Sequence, residues 1–156
     1  MALDATAREA NVRDSIKKYF IDNIYTTEGI AVMFDTSVSE PDLRKITMDR
    51  WLSVAFGSMG RETLSFIITD LYCCTRRDPE GFRLAQLCDT VMGYLTDIDS
   101  SDGMKKITFY QSRASGAWTD LGGLVIQDII ESPENLAPDE TKFKMLNVRW
   151  RFASKV

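Results

Sequence analysis

"TLSFIITDLYCCTRRDPEGFRLAQLCDTVMGYL", Thr63 to Leu95, contains the change of period that decides the fold. Its first part, "TLSFIITDLYCCT", is rich in β-branched and aromatic residues. Phe66, Ile67, Ile68, Leu71 and Tyr72 put apolar groups on both faces, which suits a central strand of a sheet. The spacing then changes. Leu84, Leu87, Cys88, Val91, Leu95 and Ile98 recur at helical intervals, with Asp78 placed to cap the helix and Pro79 at its first position, where a missing N–H costs nothing. The stretch reads as strand, joint, helix.

The joint also gathers reactive residue types. Neighbours in a strand point to opposite faces, so Cys73 and Cys74 diverge and cannot share one metal; Cys88 falls on the apolar face of the helix. No C-x-x-C pair or zinc spacing results, and the three thiols read as structural. Arg76 and Arg77 precede the N-terminus of the helix, where a dipole favours anions. They equally suit a solvated sheet edge or pairing with a nearby acid.

Outward from this centre the pattern continues. Val12, Ile16, Phe20 and Ile24, with Tyr19 alongside, form the stripe of an amphipathic N-terminal helix that Gly29 ends. "GIAVMFD" suits a short strand, and "TSVSEPDL" a loop. In "ITMDRWLSVAF", Leu52, Val54 and Phe56 face one way and Trp51, Ser53 and Ala55 the other, followed by a turn at "GSMGRE". "MKKITFYQS", "LGGLVIQDIIE" and "TKFKMLNVRWRF" read as three further strands. The last has Leu146, Val148, Trp150 and Phe152 on one face. With no repeat or long linker, residues 1–156 are expected to form one α+β domain: a mostly antiparallel β-sheet with two α-helices packed on one face.

Composition narrows the function. A 156-residue chain with 44% hydrophobic and 27% charged residues and net charge −4 has the balance of a soluble globular protein. It has no basic excess to wrap a nucleic acid or an acidic membrane. Neither a signal peptide nor a membrane-spanning run is evident, and three cysteines do not make a disulfide framework, so a reducing cytoplasm is expected. The chain has no histidine, which removes the usual general base and the commonest metal ligand. An enzyme would have to work through carboxylates such as Asp35, Asp49, Asp70 or Asp120 around a metal, and no pair of them converges in sequence. No catalytic residue, metal or cofactor is therefore expected.

Two loops carry further candidates. "DIDSSDGMKKIT" sets Asp97, Asp99 and Asp102 beside Gly103, but a calcium loop counted from Asp97 needs Gly at its sixth place and Glu at its twelfth, where Asp102 and Thr108 stand. A helix-to-strand turn held by local Asp and Ser hydrogen bonds is the simpler reading. "SRASGAWTDLGG" places Trp118 in a small-residue loop, either tucked onto the sheet or presented as a partner anchor. "GSMG" and "LGG" lack the lysine and flanking elements of a phosphate loop.

The order of segments resembles a known family. "REANVRDSIKKYF", "WLSVAFGS" with "TLSFIITDLYCCTRRD", "PEGFRLAQLCDTVMGYL", an acidic loop, "ITFYQS" and "FKMLNVRWRF" are similar in order, length and texture to the tail terminator (tail completion) proteins of long-tailed, lambda-like bacteriophages. The resemblance covers most of the chain and rests on no catalytic signature. It implies a virion structural protein made in the host cytoplasm and placed at the tail–neck junction. Such a protein forms a homo-oligomeric ring, in that family a hexamer, which caps the tail tube protein and docks the head completion or connector protein. DNA passes through the lumen without specific binding, and no membrane is involved. A tail tube subunit or a head–tail joining protein would share the same texture.

On chemical grounds Arg76, Arg77, Asp97, Asp99, Asp102 and Trp118 are the candidate partner-facing residues. The polar loops "TSVSEPDLRK" and "ESPENLAPDETK" are expected to order only in the assembly.

Overall fold

A computed structural model describes residues 9–34, 49–60, 64–111, 119–137 and 140–153. Helix α1 spans Glu9–Phe20 and runs into a π-helical segment, Ile21–Thr27. The strands and second helix follow as β1 Ala31–Phe34, β2 Arg50–Gly60, β3 Leu64–Thr75, α2 Phe82–Leu95, β4 Lys106–Gln111, β5 Thr119–Glu131, β6 Asn135–Leu136 and β7 Lys142–Ala153. The strands form one sheet in the order β1-β2-β3-β7-β5-β4, with β6 paired to β7. Every pairing is antiparallel except that of β1 with β2. The fold is α+β, with both helices on one face, as the change of period indicates.

Parity along the strands builds the core. On β3 the odd residues Ile67, Leu71 and Cys73 face the helices, and register sets them against Trp150, Leu146 and Lys144 of β7. Leu52 and Val54 of β2 extend the same face, and Leu124 and Ile126 of β5 continue it. Onto it α1 lowers Val12, Ile16 and Phe20, and α2 lowers Leu84, Leu87, Cys88, Val91 and Leu95. Phe20 meets the ring of Trp150 edge-on with centroids 6.3 Å apart. Burying such side chains stabilises by about 1.5–3 kcal/mol each, which is what holds the helices to the sheet. The indole N–H of Trp150 donates to Thr69 Oγ1 at 2.9 Å, satisfying a donor that has no access to water.

The opposite face holds a smaller cluster. Ala31, Met33, Trp51 and Cys74 are buried there, with Tyr72 and Phe143 against them. Farther along, Phe66 lies between the guanidinium groups of Arg149 and Arg151, 5.1 and 5.5 Å from its ring centroid. Its ring covers Gly60 across the ladder, where an added Cβ would lie 2.1 Å from a ring carbon, so that position requires glycine unless the ring moves.

Three sequence expectations are corrected. The turn assigned to "GSMGRE" is still strand through Gly60; a bulge between Phe56 and Met59 absorbs one extra residue. Helix α2 begins at Phe82 rather than Pro79, because Gly81 sits in a left-handed conformation with φ +72° and delays the helical turn. Ile98 is off the helix and 96% exposed, since α2 ends at Leu95 and the chain turns at once into the loop before β4. Within the segment "ESPENLAPDETK", β6 pairs with β7 and Lys142 bridges to Glu134 at 3.5 Å. The loop "TSVSEPDLRK" lies outside the described residues.

Candidate functional site

Strand β3 delivers its chain end to the turn that carries the two arginines. Thr75 closes the ladder opposite Lys142, and the Arg76 amide donates to the Asp49 carbonyl at 2.8 Å. The Arg76 guanidinium then lies over the Trp51 ring, 5.4 Å from its centroid. Arg77 takes a left-handed backbone with φ +55° and is exposed. Behind them Arg83 reaches back, donating to the carbonyls of Arg76 and Arg77 at 3.0 and 3.2 Å, and pairs with Asp49 at 3.6 Å.

The N-terminus of α2 does not wait for an anion, because Asp78 fills it. Its carboxylate accepts from the Leu84 amide at 2.8 Å, the Arg83 amide at 3.3 Å and Thr75 Oγ1 at 3.2 Å. Burial pushes the Asp78 carboxyl up, but these hydrogen bonds and the Arg83 charge outweigh it and hold the group below its ordinary value. Gly81 rather than Asp78 holds the N-cap position, but the Asp78 carboxylate serves the first amides of the helix from outside it. Asp78 therefore already takes the Arg83 and Leu84 amides that an anion at this helix end would use.

The acidic turn lies at the other end of α2. Asp97 Oδ1 accepts the Asp99 amide at 3.0 Å, and Asp102 Oδ1 accepts the Met104 amide at 3.0 Å and the Ser100 hydroxyl. The Ser100 hydrogen bond, then that from Met104, lowers the Asp102 carboxyl. These carboxylates close their own turn in the way Asp residues do in loops. A shallow depression there is lined by Asp97, Asp102, Lys105 and Lys106. Asp99 is exposed. Among the described residues no cluster of three or more Cys, Asp or Glu side chains could hold a metal ion.

The structure therefore separates the charged candidates. Arg76 and Arg77 precede α2 and the acidic turn follows it, and 14 helical residues span about 21 Å. Trp118 lies outside the described residues. The carboxylates weighed for metal chemistry are also scattered. Asp49 adjoins Arg76, while Asp70 lies six residues back along β3, about 20 Å away, and accepts from Asn147 at 2.7 Å. Asp35 and the side chain of Asp120 lie outside the described residues.

Sequence reading missed a groove between α1 and the outer edge of β4. Ser15 Oγ accepts the Tyr110 amide at 2.8 Å and donates to the Asn11 carbonyl at 2.7 Å, so the helix covers the sheet edge at that point. Lys18, Asp22, Asn23 and Thr108 line the rest of the groove. Only the serine on the inner side of the helical stripe signalled this contact, and periodicity alone treats a serine there as a packing defect.

No family model matches the chain, and no curated protein is significantly similar to it. Among solved structures, one whose name states no function superposes with a TM-score of 0.58 over 96% of each chain at 9% identity. At that identity the likeness concerns the fold alone.

Proposed function

We propose that this chain is the ring-forming terminator of a phage tail tube, as the order of its segments suggests. The observation that carries the reading is the placing of unlike charges at the two ends of α2. A cationic turn at Arg76 and Arg77 stands beside β2 and β3, and an anionic turn at Asp97, Asp99 and Asp102 stands beside β4, the last strand of the sheet. The terminal strands differ as well: β1 is the apolar run Ala31–Phe34, whereas β4, Lys106–Gln111, buries Ile107 and Phe109 and has Ser15 of α1 against its edge at Tyr110.

A subunit with two different, complementary ends associates head to tail, and such contacts either close into a ring or continue as a filament. Apposed unlike charges set the register of that contact and suppress wrong pairings. The net charge of −4 also suits a lumen through which DNA slides, because phosphates are retained by basic rather than acidic linings.

Native mass measurement over a concentration series, then with tail tubes added and imaged by negative stain, tests the reading. The expected result is a closed hexamer, or a monomer converting to caps on tube ends. Open-ended polymers would indicate a tube subunit instead, and a monomer indifferent to tubes would refute the reading.

A further inference from the structure

The sheet ends at β4 with an edge that the helix above it closes at one point only. In the ladder with β5, Lys106 faces Val125, Thr108 faces Gly123 and Phe109 faces Gly122, and among the described residues β4 has no strand on its other side. Ser15 Oγ accepts the Tyr110 amide at 2.8 Å and lies 3.3 Å from the Tyr110 carbonyl, so both main-chain groups of Tyr110 point away from β5. Such groups alternate in direction along a strand. Those of Thr108 and Lys106 therefore point outward as well, and among the described residues nothing bonds to them.

These outward groups open into a groove of about 320 Å³. The helix is pinned to β4 at Ser15; one turn later Lys18 and Tyr19, and a further turn later Asp22 and Asn23, form the facing wall. Asp22 and Asn23 belong to the π-helical segment, a rare form found frequently at functional sites. Asn23 donates to the Tyr19 carbonyl at 2.8 Å and Lys18 pairs with Asp22 at 2.6 Å, which fixes the wall. The lining carries Lys18 and Lys106 against Asp22, a net positive groove on a chain of net charge −4.

We propose that this groove binds an extended acidic peptide of a partner protein, which adds to β4 as a short strand through the main-chain groups of Lys106 and Thr108. These two residues lie about 7 Å apart along the strand, one two-residue step of an extended chain, so about three peptide residues use both. Main-chain hydrogen bonds hold the peptide, and the lysines select acidic side chains. Closure of the groove at Ser15 and Tyr110 admits a chain end or a narrow loop but not the whole edge of another sheet, which argues against β1 of a second copy as the occupant.

The test begins with hydrogen exchange on the protein alone, where the Thr108 amide should exchange at least about tenfold faster than the ladder-bonded amides of Ile107 and Phe109. A bead library of random acetylated hexapeptides is then the binding probe. The peptides retained should carry net negative charge, and the tightest of them should slow exchange at Thr108 by about tenfold. Its counterpart N-methylated at alternate residues should bind at least about tenfold more weakly. T108P removes the outward amide without touching a ladder bond, as proline is tolerated on edge strands; it should keep its thermal midpoint within about 4 °C and lose peptide affinity by about tenfold or more. K106E alters an exposed side chain, leaves the midpoint unchanged and should weaken acidic peptides by about three- to tenfold; it and the N-methylated peptide decide the matter should T108P not fold. A Thr108 amide as protected as its neighbours in the monomer, no retained peptide that slows it, or binding indifferent to K106E and N-methylation would each overturn the proposal. Protection of Thr108 that appears only as native mass shows a dimer would overturn it in favour of a second copy. None of these readouts needs tail tubes or ring closure, so the peptide groove and the tail function fail separately.

Discussion

Replacing Asp78 with alanine removes the acceptor shared by two amides of α2 and the buried hydroxyl of Thr75. Loss of a cap of this kind costs about 1–2 kcal/mol, a fall in thermal midpoint of about 2–8 °C by calorimetry. Because the folded Asp78 carboxyl lies below its ordinary value of 3.8, its contribution is fully present above that pH and is lost as the pH falls through the folded value. Wild type and D78N should accordingly differ in urea midpoint at pH 7 and draw together as the pH falls below 3.8 and through the folded value. A gap that persists undiminished in acid would show that the carboxylate charge is not what the cap uses. Thr69 poses the same question for a neutral group: T69V strands the Trp150 N–H and should cost about 1–3 kcal/mol, whereas T69S keeps the acceptor and should cost less. Neither role is visible from residue type alone. Asp before Pro already signals a helix start, but a threonine in a strand gives no sign that its hydroxyl serves an indole 81 positions away.

At the scale of elements, α1 does two things at once: its stripe fills the core, and Ser15 closes the outer edge of β4 at Tyr110. S15A leaves that amide without its acceptor beneath the helix, and a cost of about 1–2 kcal/mol is expected, with faster hydrogen exchange at the Tyr110 amide while the β3 amides keep their protection. Unchanged exchange there would mean water replaces the hydroxyl without loss. The elements themselves were largely legible, since Leu146, Val148, Trp150 and Phe152 alternate cleanly and Val12, Ile16, Phe20 and Ile24 repeat at helical spacing, and all eight are buried. What misled lay at their ends. Gly57 and Gly60 look like turn residues, yet one sits beside a bulge and the other under the Phe66 ring, so cross-strand contacts override local propensity. Ile98 fits the helical spacing, but the turn closed by Asp97 and Asp102 takes the chain off the helix first.

For the whole molecule, the question is whether the charges at the two ends of α2 meet across a subunit boundary. The candidates were legible as residue types because runs of Arg and Asp stand out in loops; their separation by the length of α2 was not, because it follows from where the helix crosses the sheet. Arg77 and Asp99 are the informative pair, both exposed, whereas Arg76 lies over Trp51 and Asp97 and Asp102 hold their own turn. Under the head-to-tail reading, R77E and D99K should each weaken ring assembly, by about tenfold or more in the midpoint concentration, because each places like charges across every contact of the ring. The single variants should keep the wild-type thermal midpoint within about 1 °C, as exposed substitutions away from packing do. Combining both changes in one chain restores unlike charges at every contact, so R77E/D99K should recover assembly, and raising the salt from 50 to 500 mM should weaken wild type and double variant alike, roughly to the level of the single variants. Failure of the double variant to recover, with both single variants folded, would mean that the two turns face different partners, tube on one side and head on the other, rather than each other.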